Sequence, residues 1–220
     1  YFSATEYDPE TGTGRNGLWS DNFDVIEACN GSSFDDNRED TIVDWFSFLE
    51  HGRDIWAVGS SDNHHLVRGP VGYPRTCLYL GHDDPMKADD ATVRDALLAG
   101  AAIVGGGLFM TVEGPGGERP GETVQAAGET VSFTVSVRAP SWISAETLET
   151  FVNGVSVDTS ELLPMGEGPG QVFLQTVEVE VDASRTRNWV VFHAKGQGDL
   201  DPVHPGSVPF AFSNPVFITP

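Results

Sequence analysis

Between Val131 and Arg138 every second residue is apolar: Val131, Phe133, Val135 and Val137 alternate with Ser132, Thr134, Ser136 and Arg138. A period of two places one set of side chains on each face of an extended chain, so this segment must be a strand with one buried face. Further on, Phe151-Val152 and Val155 to Val157 flank Asn153-Gly154. Asn-Gly accepts the positive φ angles of a two-residue hairpin turn. Val172 to Val181, Asn188 to Ala194 and Val216 to Thr219 are also strand-like. Short strands separated by turn signals predict a β-sandwich from residue 108 to residue 220.

Before the triplet Gly105-Gly106-Gly107 the pattern is different. Residues 1–20 are rich in Gly, Thr, Asp and Pro and predict a long loop. Phe23 to Ala28 predicts a short strand closed by Asn30-Gly31. The acidic run Asp35-Asp36-Asn37-Arg38-Glu39-Asp40 lacks the ligand spacing and central glycine of a calcium loop, and is expected to cap a helix. Ile42, Trp45, Phe46 and Leu49 then make one helical stripe, with Gly52 suited to its C-terminal end. Ile55 to Val58 and Thr76 to Leu80 predict buried strands, a second helix begins near Asp90, and Ala101 to Val104 closes the series. Strands joined by amphipathic helices predict an α/β unit with a largely parallel sheet or barrel over residues 1–107.

Charge narrows the partners. The formal net charge is -21, with 19 acidic and 7 basic residues up to Met110 and 14 and 5 beyond it. A surface of that sign repels phosphate backbones and anionic lipid, so neither nucleic acid nor a membrane surface is expected as a partner. No apolar run approaches a membrane span. The expectation is a soluble protein, with secreted or periplasmic placement among the options; oligomeric state stays open. The opening Tyr1 and the lack of a signal-like segment predict that upstream sequence has been removed. Cys29 and Cys77 lie far apart within predicted strands, and structural thiols are expected rather than a disulfide.

The polar run Gly59-Ser60-Ser61-Asp62-Asn63-His64-His65 follows a predicted buried strand directly. In extended chain, residues two apart share a side, so Asp62 and His64 can converge on one point. A carboxylate oxygen and an imidazole nitrogen suit zinc, manganese or iron. A surface turn with a solvated histidine is the competing reading. Ser60 or Ser61 as a nucleophile is disfavoured, since no Gly-x-Ser-x-Gly elbow is present. His65 is a candidate for a contact to a ligand or substrate, with an exposed loop histidine as the favoured reading, and Arg75 is a candidate for pairing with an anionic substrate or for a structural ion pair. Glu27, at a neighbouring strand end, is a candidate for orienting a ligand.

Several segments together carry a resemblance. Ala57-Val58-Gly59-Ser60-Ser61-Asp62-Asn63-His64 with Gly72-Tyr73-Pro74-Arg75-Thr76, Asp24-Val25-Ile26-Glu27 with Asn30-Gly31, and Phe210-Ala211-Phe212-Ser213-Asn214-Pro215-Val216-Phe217 resemble the C-terminal portion of hydrolases of the polymerase-and-histidinol-phosphatase (PHP) superfamily, in the branch with carbaryl-hydrolase-like enzymes. The resemblance implies the last part of a distorted (β/α)7 barrel with an appended β-sandwich. It also implies divalent metals that activate water against a small-molecule ester or phosphoester, with Asp62 and His64 as metal ligands. The family's early His-x-His motif, its middle acidic ligand and its intervening histidines have no counterpart here. The metal site is therefore expected to be incomplete and the chain by itself inactive. The alternative is a non-catalytic module in which the sandwich binds a partner or carbohydrate, for instance through Trp142.

Overall fold

The computed structural model describes residues 2–31, 34–65, 71–165 and 170–220. A short helix α1 (Phe2–Thr5) leads to a small antiparallel pair, β1 (Tyr7–Asp8) with β2 (Thr13–Gly14). The residues expected to form a long loop thus fold locally. Asp8 accepts from the Glu10 amide at 3.0 Å, and Tyr7 stacks on Trp19 at 5.1 Å and meets Phe48 at 4.9 Å, which anchors the hairpin to the core. The chain continues through β3 (Val25–Asn30), α2 (Phe34–Glu39), α3 (Thr41–Glu50), β4 (Trp56–Ser60), β5 (Arg75–Leu78), α4 (Asp90–Leu98) and β6 (Ala102–Gly106). Strands then dominate: β7 (Phe109–Glu113), β8 (Thr123–Gln125), β9 (Thr130–Pro140), β10 (Thr147–Val152), β11 (Val155–Glu161), β12 (Gly170–Glu180), β13 (Asn188–Lys195), β14 (Phe210–Ser213) and β15 (Val216–Thr219).

The predicted (β/α)7 barrel portion and largely parallel sheet are corrected by the strand pairing. The fold is mostly β, and no barrel is formed by the described residues. Strands β3 and β4 do pair in parallel across α2 and α3, as a βαβ unit should. The pattern stops there. Although α4 joins β5 to β6, these two strands are antiparallel neighbours, and β6 continues antiparallel to β14, with Val104 opposite Phe212. An eight-stranded sheet results, in the order β11-β10-β13-β14-β6-β5, with β15 pairing β13 and β8. Residues on both sides of Gly107 share it. Alternation of short apolar runs and helices is common to βαβ crossovers and to an antiparallel pair spanned by a helix, so local periodicity does not separate them.

Three layers follow from how β13 is used. Trp189, Val190, Val191, Phe192, His193 and Ala194 are all buried. Both faces of that strand are therefore covered, which explains a near-continuous apolar run rather than an alternating one. On one face Phe192 meets Phe133 of β9 at 5.8 Å, joining the large sheet to the three-stranded sheet β12-β9-β7. These two facing sheets are consistent with the predicted sandwich. On the other face Trp189 meets Phe46 of α3 at 5.1 Å, while Phe210 of β14 stacks on Phe34 of α2 at 4.2 Å. The stripe read for α3 is the buried one: Ile42, Trp45, Phe46 and Leu49. The acidic run proves to be α2 itself, with Asp35 and Asp36 in its first turn, where the helix dipole favours negative charge. At the predicted hairpin, Asn153 (φ 49°) and Gly154 (φ 81°) have the positive angles expected, and β10 pairs with β11.

One side chain ties the parallel pair to the large sheet. Asn214, fully buried between β14 and β15, accepts from the Ala57 amide at 2.7 Å and donates to the carbonyls of Ala57 at 3.0 Å and Ala102 at 3.2 Å. It spans β4 and β6 at once. At the end of β4, Gly59 donates its amide to Thr76 Oγ1 at 2.9 Å, and the same hydroxyl donates back to the Gly59 carbonyl at 3.0 Å. A Cβ on Gly59 would lie 2.5 Å from Val104, so glycine is what permits β4 to approach β6.

Candidate functional site

Strand β4 delivers the polar run. Its last residue is Ser60, and the chain stays irregular through residues 61–65. Asp62 has φ 44°, the left-handed region that a non-glycine residue occupies at some cost and that Asp tolerates better than most. That turn swings the carboxylate toward the next side chain but one. His64 Nε2 and Asp62 Oδ1 lie 2.6 Å apart, with side chains 75% and 51% exposed. The predicted convergence of this pair is present in the geometry, although the backbone beneath it is a left-handed turn rather than a straight continuation of the strand.

The remaining candidates surround the pair unevenly. Glu27, on the neighbouring strand β3, is opposite Val58 in register, and its carboxylate accepts from the Ser60 hydroxyl and from Asn30 Nδ2 at 2.9 Å. It braces the end of β4 just before the candidate pair. His65 engages through its backbone amide, which donates to Asn63 Oδ1 at 2.9 Å, and its side chain is exposed. Arg75 opens β5, is exposed, and points one guanidinium nitrogen at the Gly72 carbonyl at 3.5 Å. Burial, and secondarily the charge of Arg75, pushes the His204 imidazole below its ordinary range; that ring lies 5.5 Å from Tyr73. Cys29 is fully buried, and desolvation, with the Glu27 charge adding to it, pushes its thiol up to about 12, so it packs and does not react. Cys77 is half-buried, and both thiols are free. Trp142 is exposed in the segment after β9.

Donor chemistry at the pair fits a divalent cation in kind but not in number. Two donors on one tetrahedral ion at bond lengths of about 2.0 Å stand roughly 3.3 Å apart, so a cation would replace the shared proton and part the two groups by roughly 0.7 Å. Exposed side chains accommodate that. A zinc site needs three or four donors, and among the described residues no group of three or more His, Cys, Asp and Glu side chains is placed to hold an ion.

Sequence reasoning missed one group. His193 of β13 is 2% exposed, faces the helical layer, and has no hydrogen-bond partner on either ring nitrogen among the described residues. Phe151 at 4.6 Å, Phe212 at 5.3 Å, Phe34 at 6.0 Å and Phe46 at 6.1 Å surround it. Burial, with the Arg38 charge adding to it, holds this imidazole down to about 3. The only sequence signal was one titratable residue inside the apolar run from Trp189 to Ala194.

Comparison with family models, curated proteins and solved structures gives no match for this chain in any of the three.

Proposed function

We propose that Asp62 and His64 contribute two donors to a divalent-cation site, and that the protein carries this part of a metal-dependent hydrolase acting on a small-molecule ester or phosphoester. The observation that supports this most is the 2.6 Å approach of a carboxylate oxygen and an imidazole nitrogen at an exposed strand end. Ends of parallel strands recur as reaction sites because loops gather there on a rigid base, and β3–β4 is such a pair. A bound zinc, manganese or iron ion would supply Lewis acidity and a water of lowered pKa.

The chain's own residues have simpler tasks. Asp62 Oδ1 draws the Nε2 edge of His64 to 2.6 Å, so the two donors already face one point before a cation enters between them. Glu27 and Ser60 hold the strand end, and Thr76 clamps Gly59, so the pair starts from a fixed base. Further donors are proposed to come from beyond the described residues, and hydrolysis is expected only where they are present.

Zinc titration in competition with a chromogenic chelator tests the reading. Asn is well tolerated at positive φ, so Asp62→Asn preserves the turn while removing the charge. Asp62→Asn and His64→Gln are each expected to weaken zinc binding by at least about tenfold. Equal affinity in all three proteins would overturn the proposal.

A further inference from the structure

The buried imidazole of His193 borders a cleft between α2–α3 and the β10–β11 hairpin, of about 590 Å³. Ile42, Val43, Phe46 and Phe151 make its apolar walls. That volume falls in the range of small-molecule sites, and an apolar floor of Ile42, Phe46 and Phe151 lies beneath a rim that carries Asp35, Arg38 and Glu39. Its charged rim is largely satisfied from within: Arg38 bonds Glu149 at 2.6 Å and lies 5.5 Å over the Phe151 ring, and Lys195 bonds Asp35. Glu39 adds a third carboxylate to those of Asp35 and Glu149, against two cations. An anion is disfavoured there. A buried imidazole without partners costs the fold free energy, and a cleft beside it gives that arrangement a use.

We propose that this cleft binds a neutral, ring-sized organic molecule carrying one hydroxyl, with the ring against Phe46 and Phe151 and the hydroxyl donating to a His193 nitrogen. Phenol-like compounds are the simplest members of that class. Both His193 nitrogens are buried, and the neighbouring Phe46 and Phe151 rings are 8% and 7% exposed, so admitting the ligand requires a ring beside His193 to rotate. Neutral His193 then presents one acceptor and one donor, and a hydroxyl satisfies either. The proposal is independent of the cation site.

The test uses the whole chain in metal-free buffer, with phenol as probe and toluene as its hydroxyl-free twin, followed through the ring nitrogens of the histidines by NMR. Phenol is expected to bind about three- to tenfold tighter than toluene and to shift the His193 nitrogens. In His193→Phe that preference is expected to vanish while a ring still enters. Equal binding of the two probes, no binding of phenol up to its solubility, or a preference that survives in His193→Phe would overturn the proposal. Should His193→Phe fail to fold, Val43→Trp fills the cleft from its exposed side. Phenol affinity is then expected to fall at least about fivefold; an unchanged affinity overturns the proposal.

Discussion

Asn214→Leu is expected to destabilise the fold by about 3–5 kcal/mol. The native amide completes three bonds, to the Ala57 amide and to the Ala57 and Ala102 carbonyls, in a place with no access to water. Leucine fills much of the space but strips the Ala57 amide and carbonyl of the Asn214 side chain and leaves the Ala102 carbonyl only the residue 214 backbone amide at 3.2 Å, and a buried donor or acceptor left unmade carries its full desolvation cost. Asn214→Asp is expected to be as harmful. A carboxylate can accept from Ala57 but donates nothing to two carbonyls, and it would be a buried charge without a counter-ion. Urea unfolding measures this, and a loss below about 1 kcal/mol in both variants would show that the Thr76–Gly59 bonds and packing, and not Asn214, are the main hold on β4.

Acidification is expected to weaken the native state through His193. Its folded pKa, about 3, lies below the ordinary 6.5, so between those values the unfolded chain binds a proton that the native one refuses. Stability from this group is therefore fully present above pH 6.5 and falls as the pH drops toward 3. At about 1.4 kcal/mol per pH unit, the loss reaches roughly 2–3 kcal/mol by pH 4.5. Asp44 acts in the opposite sense. Burial, with help from Asp40, raises its carboxyl to about 6, so the native state gains a proton first and is favoured as pH falls from 6 to 3.8. Asp44 keeps substantial contact with water, which reduces its share. Urea midpoints at pH 7 and 4.5 should thus fall for the wild type and fall less for His193→Phe. Equal losses in the two proteins would remove His193 from this role.

What the sequence reveals is what a few neighbouring residues decide. The alternation from Val131 to Val137 names β9 because a half-buried strand has no other pattern, and Asn153-Gly154 names its hairpin through two positive φ angles. The Ile42, Trp45, Phe46, Leu49 stripe likewise names the buried face of α3. The antiparallel pairing of β6 with β14 joins Val104 to Phe212, more than a hundred residues away, and no local period encodes it. The barrel expectation failed at that point. Asp62 and His64 were legible because spacing by two is itself a geometric statement, whereas the left-handed turn at Asp62 was not. Asn214 and His193 were opaque for a common reason: the task of each depends on which layers close over it.

The central functional claim is that Asp62 and His64 grip one cation together, and paramagnetic manganese(II) locates a bound cation directly. Titrated into the ¹⁵N-labelled protein, it is expected to broaden the amides of Asn63, His64, His65 and then Glu27 before any others, and to lose that selectivity in Asp62→Asn. Broadening that appears first along the acidic run Asp35 to Asp40, with residues 62–65 still sharp, would contradict the account.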